Sequence, residues 1–153
     1  MSMFTSRFAD RGKVAETAVQ KYLTRWAAAL PKREFNRLAD TKAAGRIIKA
    51  APADFDFYAE GNFGLIEVKE TKHDYRLERS KVSQLPRLRL RASAGGLCLV
   101  LVLHSTLNKW RALLVQELTS FGDKGSWNLT DRPLFDNCDD ALASAWQGFR
   151  HEI

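Results

Sequence analysis

Residues 52–71, PADFDFYAEGNFGLIEVKET, are the stretch from which the fold of this 153-residue chain is predicted. Two phenylalanines alternate with two aspartates, the turn signal EGN follows at residues 60–62, and an apolar run then resumes. This pattern predicts a β-hairpin. On the second strand Glu67 and Lys69 would point the same way from a segment that otherwise looks buried, and such an inconsistency tends to mark a functional site.

The charged residues of the hairpin suit the hydrolysis of a phosphodiester bond. Asp54 opens the first strand thirteen residues before Glu67, so the two carboxylates would meet across adjacent strands and share a Mg²⁺ ion. The carbonyl of Val68, between the second acid and the lysine, would add a further ligand. Lys69 would orient the attacking water or stabilise charge on the phosphate.

Two alternatives to this assignment use the same residues. In the first, Asp54 is a plain turn acid, and Glu67 and Lys69 form an ion pair on one face of the strand. In the second, Asp56 competes with Asp54 for the metal, because both would face the same side. The first alternative is weakened because Pro-x-Asp, a credible turn and Glu-x-Lys occur together.

Positive charge is concentrated just after the hairpin. The chain has a formal net charge of +6 and a sequence pI of about 9.5, which is compatible with a polyanionic partner. Tyr75 lies within the basic run, where it would either stack on a base or pack against the protein. Any single cation there is equally well explained as a solvated surface charge. The cations placed for phosphate contacts are Lys72, Arg76, Arg79 and Lys81.

The remaining segments predict helices and strands around the hairpin. A helical stripe follows Arg11 and ends at Pro31, and residues 1–10 are expected to be loosely ordered. Together the segments predict one α/β domain over residues 1–153, with a small mixed central sheet flanked by helices. The other expected segments are a strand at 34–38, a projecting arm at 40–51, a helix at 80–92 that Pro86 kinks or delays, a doubly covered strand at 97–103, a strand at 110–115, a loop at 122–133 and a helix at 139–149.

The composition argues against a membrane protein and against a disulfide-stabilised one. No apolar run approaches the roughly 20 residues that span a bilayer, and the first residues lack a secretory apolar core. We therefore expect a cytoplasmic protein without a membrane partner. Two cysteines form no disulfide framework, and three histidines show no metal-ligand spacing.

Several short motifs resemble those of a known group of nucleases. PAD at 52–54 with EVK at 67–69 is similar to the motif of the PD-(D/E)xK nuclease superfamily. The thirteen-residue step and the run EVKETK resemble the RecU-type Holliday junction resolvases most closely. The resemblance covers about residues 8–118 and is compatible with a phage or bacterial origin. Its further elements are Arg11-Gly12 followed by Glu16, a downstream Gln84 and the apolar strand at 97–103.

The resemblance implies a restriction-endonuclease-like core that uses Mg²⁺, for which Mn²⁺ would substitute. It implies a homodimer in which each subunit cuts one strand of a four-way DNA junction. The hairpin residues would keep the roles given above, and Glu16 would add an outer carboxylate, directly or through water. Gln84 would position the water or the scissile phosphate, and Arg11 would contact DNA. The family's projecting stalk is longer than the segment at 40–51.

Two other functions stay open at this point. The chain would be an endonuclease that acts on other branched or on single-stranded DNA, or a non-catalytic DNA-binding protein on the same fold. The intact set of Asp54, Glu67 and Lys69 weighs against the second, since a binding module would not need all three.

Overall fold

The predicted hairpin lies inside a five-stranded sheet. A computed structural model describes residues 3–38, 51–118 and 125–152, with side chains from residue 13 to residue 148 of these ranges. The strands of the main sheet are β1 Arg33–Arg37, β2 Phe55–Ala59, β3 Asn62–Thr71, β5 Leu97–His104 and β6 Lys109–Leu114. A second sheet pairs β4 Arg76–Glu78 with β7 Ser126–Asn128, and the helices are α1 Met3–Ala29, α2 Leu85–Ser93 and α3 Cys138–Glu152, with 3-10 turns at Arg79–Lys81 and Val115–Glu117.

The main sheet is mixed, with the strand order β1-β2-β3-β5-β6. Strands β1, β2 and β3 form an antiparallel meander, and β5 and β6 form an antiparallel pair. The two units join through β3 and β5, which are parallel, so the chain must cross over between them. Helix α2 lies in that crossover, which places β4 and α2 directly after the strand that carries Glu67.

A two-residue turn sets the register of the hairpin. Glu60 and Gly61 both have positive φ, 53° and 85°, as in the tight turns that match the twist of antiparallel strands. Phe55 therefore pairs with Ile66. Asp54 precedes Phe55 and Glu67 follows Ile66, so the register brings these two residues next to each other at the end of the paired segment. Turn geometry thus decides which carboxylates face each other.

The sheet is covered on both faces, each by a separate cluster of buried apolar side chains. Helices α1 and α3 pack on one face, against Phe55, Ile66 and alternate residues of β5. Helix α2 and the small β4–β7 sheet pack on the other face, against Leu65 and the remaining residues of β5. All eight residues of β5 are buried, as the continuous apolar run predicts.

The predicted fold class, a small mixed central sheet flanked by helices, is confirmed. Helix α1 differs from the prediction because it begins at Met3, so residues expected to be loosely ordered have a helical backbone. Helix α2 begins late, with Pro86 in its first turn. Of the two expectations for Pro86, a kink or a delayed start, the delayed start is the one observed. The predicted loop at 122–133 is wrong in part, because β7 lies within it. The predicted arm at 40–51 falls almost wholly outside the described residues.

No helix in the described part of the chain is long and apolar enough to cross a bilayer.

Gly64 in β3 is expected to tolerate no side chain. A Cβ there would overlap the ring of Phe57 and the carbonyl oxygen of Leu97, which the sheet holds in place. We expect Gly64→Ala to lower the free energy of unfolding by about 2 kcal/mol or more, measured by urea denaturation. The control is Gly148→Ala in α3, where a Cβ meets no atom within 4 Å. This change should raise the free energy of unfolding by ~0.5–1 kcal/mol. Equal effects at the two glycines would contradict this packing.

Candidate functional site

Asp54 is held by the backbone of the neighbouring strand. Its N–H donates to the carbonyl of Ile66 at 3.1 Å, and its Oδ2 accepts a hydrogen bond from the N–H of Val68 at 2.7 Å. Just before β2 begins, the carboxylate of Asp54 thus accepts a backbone N–H of β3, as a carbonyl of a paired strand would. This fixes the carboxylate beside the middle of β3, where the sequence predicts it.

Glu67 is a buried acid that meets Asp54 directly. Only 7% of Glu67 is exposed, and its carboxyl group shares a hydrogen bond with the side chain of Asp54. Burial, foremost, and then the hydrogen bond with Asp54 and its negative charge raise the pKa of Glu67 to about 8, while Lys69 opposes the rise. The Glu67 carboxyl group thus holds its proton to a higher pH than an ordinary glutamate does.

Lys69 places a positive charge beside this pair. Its Nζ lies 3.6 Å from Oε1 of Glu67, and 28% of its side chain is exposed. The ammonium group is thus held at the carboxylates and still reaches solvent. The structure brings together Asp54, Glu67 and Lys69 as the sequence predicts.

Glu16 approaches the site from α1. Its Oε2 accepts a hydrogen bond from Nη2 of Arg37 at 2.7 Å. Burial raises the pKa of Glu16, and the negative charge of Asp54 raises it further, whereas Arg37 and Lys69 lower it. Glu16 thus lies within electrostatic reach of the hairpin residues. In this structure its direct partner is Arg37.

Asp56 has a different hydrogen-bond partner from the two acids of the carboxylate pair. Its Oδ1 accepts a hydrogen bond at 3.0 Å from Nδ2 of Asn36, the residue opposite it on β1. Asp54, in contrast, contacts both Val68 and Glu67. The contacts favour Asp54 over Asp56, as does the thirteen-residue step from Asp54 to Glu67 in the sequence.

The donor set at the hairpin fits a hard divalent cation. Asp54 lies close enough to Glu67 to raise its pKa, as expected where a cation would otherwise balance the charge of two carboxylates. The N–H and C=O of a strand residue point to the same side, so the carbonyl of Val68 is directed toward Asp54. Among the described residues no three or more His, Cys, Asp or Glu side chains are grouped to hold a metal. A Mg²⁺ ion would therefore take Asp54, Glu67 and the Val68 carbonyl, and retain several waters.

Gln84 lies at the start of α2, on the face of the sheet that carries Leu65. Its carbonyl accepts the N–H of Leu88 at 3.0 Å, and its side chain does not cap the helix. Within the described residues, no hydrogen bond links its side chain to the carboxylate pair. Its predicted role in positioning water or phosphate stays a prediction.

The cations predicted to contact DNA occupy different environments. Lys72 and Arg76 are exposed, and Nη2 of Arg76 lies 3.4 Å from Nε2 of His73. Lys81 is half-buried and donates to the carbonyl of Glu70 at 3.1 Å, so it also ties the 3-10 turn to β3. Arg79 is half-buried beside the β4–β7 sheet. The side chain of Arg11 lies outside the described part.

Sequence reasoning missed Arg37, which fixes Glu16. Arg37 ends β1 and donates to both Glu16 and Gln20 on α1. Nothing in the local pattern of a short polar strand signals this contact. It depends on how α1 crosses β1, which is set by the whole sheet.

The fold and the site together define a mixed α/β core with a paired carboxylate and a lysine on its central hairpin. No family model matches the chain, and no curated protein is similar to it. Among solved structures, the chain is similar to the Holliday junction resolvase Hjc of Archaeoglobus fulgidus. The two share 18% sequence identity with a TM-score of 0.49, over 82% of this chain and 97% of the other.

Glu67 is expected to destabilise the metal-free protein as the pH rises. Folded Glu67 holds a proton up to a pH of about 8, whereas its ordinary pKa is 4.5. The unfolded chain thus releases a proton that the folded chain keeps, so the free energy of unfolding falls between these pH values. Glu67→Gln keeps a neutral side chain and should raise that free energy by at least about 1 kcal/mol at pH 8.

The measurement is urea denaturation in EDTA at pH 5.5 and pH 8. The gain from Glu67→Gln should shrink at the lower pH, where the wild-type carboxyl group is closer to protonated in both states. Glu34→Gln, at an exposed position of β1, controls for the loss of one acid. A Glu67→Gln protein that is less stable than wild type at pH 8 would contradict the assigned protonation.

Proposed function

We propose that this chain is a divalent-metal-dependent endonuclease that hydrolyses phosphodiester bonds in branched DNA, with the four-way junction as its substrate. The observation that carries the proposal is the contact between the Asp54 and Glu67 carboxyl groups, with the Lys69 ammonium 3.6 Å from Glu67. Such a set serves a binding module poorly, because burying an acid beside another acid costs stability.

Each residue of the set has a distinct part in the proposed reaction. Mg²⁺, or Mn²⁺ in its place, would supply charge neutralisation and an activated water when bound. Asp54 and Glu67 would hold the ion, and Glu67 would release its proton to do so. Lys69, which reaches solvent, would orient the attacking water and donate to a phosphate oxygen. Glu16 would contribute an outer carboxylate from α1 after exchanging its bond to Arg37 for one through water.

The proposed substrate rests on charge and on the motif resemblance. Lys72 and Arg76 are exposed immediately beyond β3, where a DNA backbone entering the site would pass. The thirteen-residue step from Asp54 to Glu67 and the run EVKETK at 67–72 resemble the RecU-type resolvases, which supports a junction over plain duplex. Binding by these cations should weaken steeply as salt is raised.

We further propose that the active form is a homodimer. One chain offers one set of Asp54, Glu67 and Lys69 within its described residues, whereas symmetric cutting of a junction requires two cuts on opposite strands. Two copies related by a two-fold axis supply two such sets. Light scattering of the purified protein, alone and with a junction, measures this state.

The central test is cleavage of labelled four-way junction, flap, duplex and single-stranded DNA, with Mg²⁺ and with EDTA. We expect paired nicks in the junction that require Mg²⁺. Equal cleavage of all four would instead support an endonuclease of broader substrate range. Binding without metal-dependent cleavage of any substrate would contradict the nuclease proposal and favour a DNA-binding protein.

Lys69→Ala should lower the cleavage rate by at least about 100-fold, because it removes a charge used at the reacting phosphate. Junction binding in EDTA should change little. The matched control is Lys109→Ala, which removes a surface lysine whose partner is Asp136 at 3.4 Å. Full activity of the Lys69→Ala protein would refute the catalytic role.

A second pair of variants tests the choice between the two hairpin aspartates. Asp54→Asn should abolish cleavage, since Asp54 contacts Glu67 and the Val68 backbone. Asp56→Asn should retain cleavage close to wild type, since Asp56 is bonded to Asn36 on an exposed face. Loss of activity in Asp56→Asn with retention in Asp54→Asn would reverse the assignment. Circular dichroism of both proteins checks that the fold is kept.

A further inference from the structure

The segment that follows β3 is held by its backbone to an unusual degree. Five successive carbonyls, from Thr71 to Tyr75, each accept a hydrogen bond from another part of the chain. Such a segment can present side chains without first becoming ordered. The donors are Ser105 N to Thr71 O (2.9 Å), Thr106 Oγ1 to Lys72 O (3.1 Å), His104 Nδ1 to His73 O (2.6 Å), Arg111 Nη1 to Asp74 O (2.8 Å) and Leu129 N to Tyr75 O (2.6 Å).

Two of these donors are buried polar side chains committed to the segment. His104 and Arg111 are 0% and 4% exposed. A carbonyl can only accept, so Nδ1 of His104 carries its proton toward His73, and Nε2 accepts from Nη1 of Arg111 at 3.0 Å. Buried polar groups are stabilising only when satisfied in this way. The pair thus anchors residues 71–75, named here the pinned loop, to the ends of β5 and β6.

Three side chains of the pinned loop, those of Lys72, Asp74 and Tyr75, are exposed, whereas Thr71 is buried and His73 is half-buried. Tyr75 is 51% exposed, which argues against the packing role that the sequence left open for it. Lys72 and Arg76 are exposed on either side of it. Three acids lie nearby: Asp74 Oδ1 shares the Thr106 hydroxyl proton with the carbonyl of Lys72, Glu78 Oε1 lies 3.4 Å from Nε2 of His73, and Glu70 lines the same cavity as Lys72 and His73. The exposed side chains here therefore include a tyrosine with a lysine three residues before it and an arginine directly after it.

We propose that Tyr75 stacks on an unpaired base of the DNA while Lys72 and Arg76 contact the flanking phosphates. This inference rests on the proposed function, because it takes the ligand to be DNA that opens near the scissile phosphate. Every base has a π-face, so one aromatic ring on a cationic surface recognises unpaired nucleotides of any sequence. Tyr75 follows Lys69 by six residues on a continuous segment. The base that stacks on Tyr75 would therefore belong to the end of the DNA strand beside the cleavage site.

The chain contains a matched control for this residue. Tyr58 on β2 is 50% exposed, almost the same as Tyr75. It pairs with Phe63 near the turn end of the hairpin, at the opposite end of β3 from Thr71, and its neighbour on β1 is Glu34. Tyr58 thus has nearly the same exposure as Tyr75 but lies at the other end of β3 from Lys72 and Arg76.

The experiment measures DNA binding in EDTA by wild type, Tyr75→Ala, Tyr75→Phe and Tyr58→Ala. The probes are a four-way junction with 2-aminopurine at the branch point, a duplex with a single-stranded overhang carrying 2-aminopurine, and a fully paired duplex. Wild type should quench the fluorescence of the 2-aminopurine in the overhang, and of the branch-point 2-aminopurine once binding unpairs it. Tyr75→Ala should lose that quenching and bind the junction and the overhang probe at least about fivefold more weakly, with duplex affinity unchanged. Tyr75→Phe and Tyr58→Ala should behave as wild type.

Three results would overturn the stacking role. Tyr75→Ala would quench and bind as wild type does, or would lose affinity equally for paired and unpaired probes, or Tyr75→Phe would lose as much as Tyr75→Ala. These outcomes are distinguishable from those that would contradict the nuclease proposal. Cleavage by wild type with unchanged Tyr75→Ala binding refutes stacking alone. Binding that depends on Tyr75 without metal-dependent cleavage refutes the nuclease alone, and failure to bind any of the DNA probes refutes both.

Discussion

The position of Asp54 beside Glu67 is the constraint on which the rest of the site depends. It follows from a two-residue turn, in which Glu60 and Gly61 fix the register of β2 on β3. A slip of one residue would send one carboxylate to the face packed against α1 and α3. The pairing of β1 and β5 on the two sides of this hairpin makes such a slip costly, because it would expose the apolar residues of both faces.

The site is built at the expense of local stability. An acid that is 7% exposed beside another acid keeps its proton, and the lysine that would balance it is 3.6 Å away and partly in solvent. The surrounding sheet tolerates this because β5, the next strand, is buried along its whole length. Beyond β3 two more polar residues, His104 and Arg111, are buried, but their hydrogen bonds are satisfied because both anchor the pinned loop. The paired carboxyl groups of Asp54 and Glu67 are placed to bind a ligand, and the anchored pinned loop is placed to present side chains at the surface.

Features governed by local pattern could be predicted from the sequence, and features governed by distant packing could not. Alternation and a turn signal predicted the hairpin, and an unbroken apolar run predicted β5. Three-residue strands such as β4 and β7 carry too little periodicity to be seen, and they form only because they pair with each other. The bond of Glu16 to Arg37 joins a helix to an edge strand 21 positions on. The exposure of Tyr75 follows from five carbonyl contacts with segments about 30 to 50 residues away in sequence, which no local signal encodes.

Calorimetric titration of the purified protein with Mn²⁺ at pH 7, in two buffers of different ionisation heat, measures whether the paired carboxyl groups bind a metal ion. We expect saturable binding that releases about one proton, because Glu67 must give up its proton to bind the ion. We also expect that binding is lost in Asp54→Asn and kept in Asp56→Asn, since only Asp54 contacts Glu67. Binding of equal affinity in wild type and Asp54→Asn, without proton release, would show that the paired carboxyl groups are not a metal site.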